Sequence, residues 1–380
     1  MTMRALCEQF QRWREASQAM VLATVIDTAG STYSKAGAQM LIAPGHGYRG
    51  LLSGGCLEGD LTLHAERCLA AGHPQVVRYD MRNREEDEIW GLGLGCDGAL
   101  DILLQPLSAE DAWQPFAAIA DAAQSGRQAA WALVIGPTPN ATATPHPLLA
   151  SSVVVMDPNS SSQISLARGA LGDAALSEVT ERCRDVALAG GVERIELGKH
   201  RGAPVNVLIT QVNVPIRLLI VGAGPDTVPL LHMARELGWY VTQADHRPGS
   251  LAAAAESAPL DHSVQVIPGQ LREHLALDSF DAVVIMSHHL VSDRAYLLEL
   301  ALSEVPFIGL LGPAARRRRL LADVTERLAN AGDRATGLRD ARALTARTHG
   351  PVGLDLGARD PAGIALSIAA QVQQFHARNG

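Results

Sequence analysis

Two glycines and an aspartate in the C-terminal half have the types and spacing of a dinucleotide-binding turn. The apolar run Leu218–Val221 ends at Gly222 and Gly224, a helical pattern follows, and a second apolar run ends at Asp245. Gly222 permits a tight turn, and Gly224 lets backbone N–H groups at the positive end of a helix approach a phosphate. Asp245, about twenty residues further on, is placed to accept hydrogen bonds from a ribose diol. Thr227 replaces the third glycine of G-x-G-x-x-G, so the pattern predicts a Rossmann-like fold and leaves dinucleotide binding open.

Two cysteines lie in glycine-rich segments and have the chemistry of nucleophiles, soft-metal or sulfur ligands, or persulfide acceptors. Cys56 follows two glycines just before a helical pattern, where the helix dipole favours the thiolate. Cys96 and Asp97 lie within Gly91–Gly98, which holds four glycines in eight residues and suits backbone that approaches a ligand closely. The spacing excludes a zinc knuckle, and either cysteine alone is equally explained as a small residue in a tight turn. The remaining cysteines, in helical patterns, are interpreted as core or surface residues: Cys7, Cys68 and Cys183.

A histidine pair ends a further apolar run. His288 and His289 follow the predicted strand DAVVIMS, and adjacent residues there point in opposite directions. Only one of them can face a crevice, so we assign a ligand contact to His288 and a structural hydrogen bond to its neighbour. Ser292 and Asp293 predict the N-cap of the helix that follows.

The elements that position these residues form an α/β protein with two domains. In residues 214–380, strand and helix patterns alternate six times, with PVGLDLG as the last strand. This alternation predicts a doubly wound parallel sheet with a Rossmann-like fold, whose ligands bind beyond the carboxyl ends of the strands. Residues 1–213 mix helices with short strands and predict an α+β domain, in which residues 108–213 are least informative and GPTPNATATPHP forms a surface loop.

Composition narrows the class of protein. The 380 residues are 47% apolar and 19% charged, as in an ordered globular protein, and the net charge of -8 argues against general nucleic-acid or membrane-surface binding. The basic run Arg316–Arg319 is interpreted as a solvated helix face. No apolar stretch approaches the ~18 residues of a membrane-spanning helix. Five widely spaced cysteines do not form a secreted disulfide framework, so we expect a cytoplasmic protein with reduced thiols.

Seven blocks, in family order, resemble the XdhC/CoxI family and cover most of the chain except its middle. Any one block is weak, but seven in order are specific. Pro225 and Asp226 depart from the pattern, since many relatives carry histidine after the glycines. The blocks are GSTYSKAGAQML, SGGCLEGDL, WGLGLGCDGALDILLQPL, VGAG with VTQADHRPG, MSHHLVSDRAYL, PFIGLLGPAARRRRLL and GPVGLDLGARDPAGIALSI.

The resemblance implies a chaperone that binds the molybdenum cofactor, in its molybdopterin or nucleotide form. Such a protein protects the cofactor during sulfuration and delivers it to an apo molybdenum hydroxylase of the xanthine dehydrogenase or CO dehydrogenase type. It also implies contact with a cysteine desulfurase, and it leaves a homodimer open. By the resemblance, Cys56 and Cys96 contact the molybdenum or its sulfur. The other expected cofactor-binding residues are Asp97, Gly222, Gly224, Asp245 and His288.

Two other functions compete with this one. An NAD(P)-dependent oxidoreductase would use the glycine turn and Asp245, although no Tyr-x-x-x-Lys pair or equivalent general acid stands out. An interaction scaffold with an empty Rossmann-like sheet would bind neither pterins nor nucleotides.

Overall fold

The computed structural model divides the chain into two compact units, Met1–Val214 and Pro215–Gly380. The described residues are 2–82, 98–135, 152–156, 164–167, 172–200, 203–331 and 333–379. The predicted surface loop GPTPNATATPHP lies outside them.

The first part of the N-terminal unit is an antiparallel sheet with helices on both faces. Because side chains alternate along a strand, Val21 and Ala23 pack against the second helix, whereas Met20 and Leu22 join the core of the first helix. Within the described residues the sheet order is β3-β2-β1-β5-β4. The elements are α1 (Met3–Glu15), β1 (Met20–Gly30), β2 (Gln39–Ala43), β3 (Gly47–Arg49), α2 (Glu58–Ala71), β4 (Gln75–Asp80) and β5 (Gly98–Leu107).

A second antiparallel sheet completes this unit. Its described strands run in the order β8-β7-β6-β10-β9, and the core shared with α1 includes Leu133 and Leu208. The unit is therefore of the predicted α+β type. The elements are a 3-10 turn (Ala109–Asp111), α3 (Phe116–Ser125), β6 (Ala129–Val134), β7 (Ser152–Met156), β8 (Ile164–Ala167), α4 (Asp173–Ala189), β9 (Val192–His200) and β10 (Ala203–Gln211).

The C-terminal unit is built on a parallel sheet whose described strands run in the order β13-β12-β11-β14-β15-β16. This is the third-second-first-fourth-fifth-sixth order of a Rossmann fold, which confirms the predicted fold class. The strands are β11 (Arg217–Val221), β12 (Tyr240–Asp245), β13 (His262–Gln265), β14 (Ala282–Ile285), β15 (Phe307–Leu310) and β16 (Thr348–His349).

Helices cover both faces of this sheet. Leu218 and Ile220 pack into the core on one face, and Leu219 and Val221 into the core on the other, which explains why the strand reads as a continuous apolar run. The helices are α5 (Val228–Glu236), α6 (Pro248–Ser257), α7 (Leu271–His274), α8 (Leu290–Leu300), α9 (Ala314–Asn330), α10 (Arg334–Arg347) and α11 (Pro361–Asn379).

Two predicted elements in the C-terminal unit need correction. The last strand is Thr348–His349, not PVGLDLG. That segment is irregular because Gly353 and Gly357 adopt φ values of 108° and 72°, outside the extended region. The helix α10 was not predicted, although the side chain of Asp333 caps its first turn.

Candidate functional site

Cys56 lies in the loop between β3 and α2. The residue is exposed, and Leu57 separates it from the first turn of the helix. Ser53 closes the loop, because its Oγ accepts hydrogen bonds from the backbone N–H groups of Cys56 and Leu57 at 3.1 and 2.8 Å. The backbone N–H groups of Cys56 and Leu57 are therefore satisfied within the protein. The reactive side chain that this loop exposes is the thiol of Cys56.

Glu58 organises the same loop from beneath. Its side chain is completely buried, and Oε1 accepts hydrogen bonds from the N–H groups of Leu52 and Ser53 at 2.9 and 3.0 Å. Oε2 accepts from Ser53 Oγ at 2.7 Å and from the N–H of Gly55 at 3.0 Å. Burial alone raises the pKa of this carboxyl, but the hydrogen bonds outweigh burial and hold the pKa below its ordinary 4.5. The glycine loop is thus wrapped around an ionised carboxylate.

Glu58 was not predicted from the sequence to be part of the site. The available signal was an acidic residue in the first turn of a helix that directly follows a glycine-rich loop.

An exposed aromatic ring borders the Cys56 loop. Tyr33 is 63% exposed, and a Cβ placed on Gly54 would lie 3.4 Å from Cδ2 of its ring. Gly54 adopts a φ of 81°, which favours glycine. The ring and the Cys56 loop therefore form one exposed surface.

The second predicted cysteine, Cys96, and its neighbour Asp97 lie outside the described residues. The described chain resumes at Gly98, the first residue of β5. A Cβ at Gly98 would clash with the carbonyl oxygen of Ser31 and the side chain of Thr32. This position requires glycine because β5 begins in close contact with the segment that carries the exposed tyrosine.

In the C-terminal unit, the glycine turn is held by side chains that the sequence pattern did not assign. Gly222 has a φ of 125°, and a Cβ there would lie 2.6 Å from the carbonyl carbon of Met286. Thr227 is fully buried and donates from Oγ1 to the carbonyl oxygen of Gly224 at 2.7 Å. The buried Gln243 donates from Nε2 to the carbonyl oxygen of Gly222 and to Thr227 Oγ1, both at 3.0 Å. Thr227, in place of the third glycine, therefore ties the turn together.

Asp245 lies at the end of β12, with its carboxylate engaged by protein donors. Its Oδ2 accepts from the N–H of Ala223 at 2.8 Å and from Arg247 Nη2 at 2.7 Å. Its Oδ1 accepts from the backbone N–H and Nε of Arg247 at 2.8 and 3.0 Å. Burial raises the pKa of Asp245, and the hydrogen bonds from Arg247 and Ala223 more than reverse that effect. The residue is 2% exposed, so the predicted ribose contact, which remains a prediction, requires Arg247 to move.

The two histidines at the end of β14 have different environments. His288 has an exposed side chain and a φ of 57°, and its Nε2 lies 2.7 Å from Oδ2 of Asp226. His289 is the N-cap of α8, where its Nδ1 accepts a hydrogen bond from the N–H of Ser292 at 3.4 Å. The predicted N-cap at Ser292 and Asp293 is therefore wrong, because both residues lie within the helix.

A cleft of about 840 Å³ opens beyond the carboxyl ends of the strands of the C-terminal sheet. Its polar lining consists of two carboxylates, Asp226 and Asp355, together with His288, Arg359 and Ser367. The remaining lining includes Met286, Leu311, Val352, Leu354, Leu356 and Ile364, several prolines, and the glycines at positions 312, 353 and 357. A mostly apolar cleft with a few polar groups has the composition of a small-molecule site.

A buried ion pair supports the floor of this region. Asp293 is 2% exposed and accepts hydrogen bonds from Ser287 Oγ and from Arg316 Nη2, the latter at 2.7 Å. A Cβ on Gly312 would lie 2.7 Å from Cδ of Arg316, so the arginine passes directly beneath the turn after β15. The interpretation of Arg316–Arg319 as a solvated face is therefore wrong for Arg316, which compensates the buried carboxylate.

The other cysteines that the structure describes are not available for surface chemistry. Cys7, Cys68 and Cys183 are buried, and burial raises the pKa of Cys7 and of Cys183 to about 12. Within the described ranges, no three His, Cys, Asp or Glu residues are arranged to hold a metal ion. No helix in the described part of the chain is long and apolar enough to cross a membrane.

Fold and sites together define a class: a protein that joins an α+β unit with an exposed, loop-borne thiol to a Rossmann-like unit with a cofactor-sized cleft. Residues 218–372 match the model of the XdhC Rossmann domain, and residues 13–80 match that of the XdhC and CoxI family. The chain belongs to the XdhC and CoxI family.

Two relatives extend this match over nearly the whole chain. A probable xanthine dehydrogenase subunit from Bacillus subtilis (strain 168) is 28% identical over 371 residues, which cover 96% of this chain and 95% of the relative. The crystal structure of a xanthine dehydrogenase from Bacillus halodurans, 28% identical, superimposes with a TM-score of 0.72 and covers 100% of this chain and 97% of its own. Family and relatives support a role in molybdenum hydroxylase maturation.

Proposed function

We propose that the protein is a chaperone that binds the molybdenum cofactor, protects it during sulfuration, and delivers it to an apo molybdenum hydroxylase of the xanthine dehydrogenase or CO dehydrogenase type. One observation carries this proposal. Cys56 is an exposed thiol on a loop that Ser53 and Glu58 hold by hydrogen bonds to its backbone. A thiol presented on a preorganised loop suits a soft cargo such as the molybdenum dithiolene, because soft ligands pair with soft metals.

The remaining predicted site residues have proposed roles in the same function. Cys96, with Asp97 beside it, is proposed as the second sulfur contact. His288 is proposed to contact the organic part of the cofactor, since it is exposed in the cleft of the C-terminal unit. Gly222, Gly224 and Asp245 are proposed to act indirectly, because their backbone and side-chain contacts shape the turn that carries Asp226.

Two protein partners belong to the proposal. An apo molybdenum hydroxylase receives the cofactor, and a cysteine desulfurase supplies the sulfur. Immobilised protein should retain each partner from purified mixtures, and retention of neither would restrict the function to cofactor storage.

The test of cofactor binding is co-elution of purified protein with molybdenum cofactor on a desalting column, measured by molybdenum content. Wild type and Glu66→Gln, a control at an exposed position of α2, should retain cofactor equally. Cys56→Ser and Cys96→Ser should each retain less. Absence of retention by wild type, under conditions in which a known carrier succeeds, would contradict the proposal.

The alternative of an NAD(P)-dependent oxidoreductase rests on the strand order and the glycine turn. The contacts of the turn oppose it, because Asp245 is occupied by Arg247 and Ala223, and because the carboxylate of Asp226 lies against Gly224, where a pyrophosphate would approach. Titration of NADH fluorescence separates the two functions. Micromolar binding with turnover would favour the oxidoreductase.

A further inference from the structure

The cleft of the C-terminal unit lies where Rossmann-like sheets bind ligands, but its charges do not suit a phosphate beside the glycine turn. Asp226 stands in the short 3-10 turn between Gly224 and α5, and its Oδ1 is packed so tightly against Gly224 that a Cβ there would collide with it. The positive end of the helix is therefore next to a carboxylate of the protein itself. An incoming phosphate at this turn would meet a like charge.

The acceptors that line the cleft are two carboxylates, Asp226 and Asp355, beside the donors His288 and Arg359. Asp226 shares Oδ2 with His288, at 2.7 Å. Asp355 is exposed, and the hydrogen bond described for it is a long one of 3.4 Å from the N–H of Gly357 to Oδ1. Its second oxygen faces no ion-pair partner among the described residues. An exposed carboxylate on an apolar wall is suited to a ligand that presents two adjacent N–H donors.

The N-terminus of α9 also borders the cleft and can supply hydrogen-bond donors. Pro313 is the N-cap of the 17-residue helix α9, which has no side-chain cap and no acidic residue in its first turn. The first N–H groups of such a helix lack intrahelical partners and favour an acceptor oxygen. The apolar part of the lining, including Val352 and Ile364, offers contact area for an apolar ring.

We propose that this cleft binds a 2-amino-4-oxo heterocycle, with Asp355 accepting hydrogen bonds from its ring N–H and 2-amino group and the start of α9 facing its 4-oxo oxygen. The cleft volume of about 840 Å³ lies within the range of about 300–1,000 Å³ for small-molecule sites. This inference rests on the proposed function. Pterin and guanine both present a ring N–H beside a 2-amino group and an oxo oxygen. The molybdenum cofactor contains a pterin, and one of its nucleotide forms also contains guanine. The cleft then recognises the ring of the cargo rather than its phosphate.

The test is equilibrium binding to the full-length protein, followed by pterin fluorescence and by competition. Pterin should bind saturably, and GMP should compete if the guanine source is accepted. IMP, which lacks the 2-amino group, and AMP should compete at least about tenfold less well than GMP, because each loses a charge-assisted hydrogen bond to Asp355. Orthophosphate should not displace pterin; displacement would identify the cleft as an anion site and overturn the proposal.

Variants locate the contact. Asp355→Asn should weaken pterin binding by about tenfold to a hundredfold, since the amide presents a donor to the donors of the ring. Asp340→Asn, on α10 and outside the cleft lining, is the matched control and should bind as wild type does. Equal pterin affinity in Asp355→Asn and wild type would overturn the assignment, as would the absence of pterin binding to wild type.

The outcome is distinguishable from failure of the proposed function. Retention of the whole molybdenum cofactor without any pterin binding would refute the ring contact and leave the chaperone proposal standing. Binding of pterin that depends on Asp355, without retention of the molybdenum cofactor, would refute the chaperone proposal and leave the ring site in place.

Discussion

Replacement of Glu58 should release the loop that presents Cys56. The carboxylate accepts four hydrogen bonds from this loop, and the donor at Leu52 belongs to a fully buried residue. In Glu58→Ala, the donors of Ser53 and Gly55 can turn to water, whereas the N–H of Leu52 is left unpaired, at a cost of about 1–3 kcal/mol. Loss of the charge-assisted bonds adds to this cost, so we expect the loop to open about 3 kcal/mol more easily.

The assay is hydrogen–deuterium exchange of the peptide that covers residues 50–60. An opening free energy lower by about 3 kcal/mol corresponds to roughly hundredfold faster exchange of the Leu52 and Gly55 amides. The exchange rate of Glu58→Gln should lie between those of wild type and Glu58→Ala. In this variant Oε1 still accepts from Leu52 and Ser53, while the amide nitrogen faces the N–H of Gly55. The exposed Glu66→Gln is the control. Equal exchange in Glu58→Ala and the control would refute the reasoning.

The same carboxylate predicts a dependence on pH. The pKa of Glu58 is lower in the folded protein than its ordinary 4.5. Its contribution to loop stability is therefore complete above pH 4.5 and is lost as the pH falls through the lower, folded pKa. Hydrogen–deuterium exchange of the peptide that covers residues 50–60, measured at several pH values and corrected for the intrinsic exchange rate, should show no loop opening above pH 5. Opening that instead begins near neutral pH would show that a titrating group other than Glu58 stabilises the loop.

Three further variants test the contacts that hold the turns and helix ends of the C-terminal unit, each by hydrogen exchange of its peptides. Gly222→Ala should destabilise the unit by about 3 kcal/mol or more, because the new Cβ would lie 2.6 Å from the carbonyl carbon of Met286; wild-type exchange would refute this close approach. Asp245→Asn should cost about 2–3 kcal/mol by weakening the pair with Arg247 and should accelerate exchange at the glycine turn, whereas an effect confined to β12 would argue against that coupling. His289→Ala should cost about 1 kcal/mol and fray α8, with His289→Asn restoring the cap; equal fraying in both variants would refute the cap.

Prediction from the sequence succeeded for the buried parallel strands of the C-terminal unit. The buried parallel strands are short apolar runs because both faces are covered, and the glycine turn after the first of them identified the Rossmann-like sheet. The last strand was misplaced because Val352 and Leu354 look like strand residues, whereas the flanking glycines at 353 and 357 bend the chain into the wall of the cleft.

The contacts that define the two sites were harder to foresee. Asp293 and Arg316 are 23 residues apart in the chain and meet only because the ends of β14 and β15 are adjacent in the sheet. The sequence assigned Asp245 to a ribose because an acid at that position often has that role. Its actual partner, Arg247, is only two residues away, but the pairing depends on how the chain turns after β12.

The two units stabilise their glycine-rich turns in the same way. In each, a glycine-rich turn presents backbone N–H groups in the manner of an anion site, and in each a carboxylate of the chain accepts from them: Glu58 from Ser53 and Gly55, and Asp245 from Ala223. Loops held in this way need no phosphate to become ordered. They are therefore formed before any ligand arrives, and the functional side chains that they expose are the thiol of Cys56 in one unit and the Asp226–His288 pair in the other. Preformed loops reduce the entropy that binding must overcome, which agrees with the proposed function of a carrier.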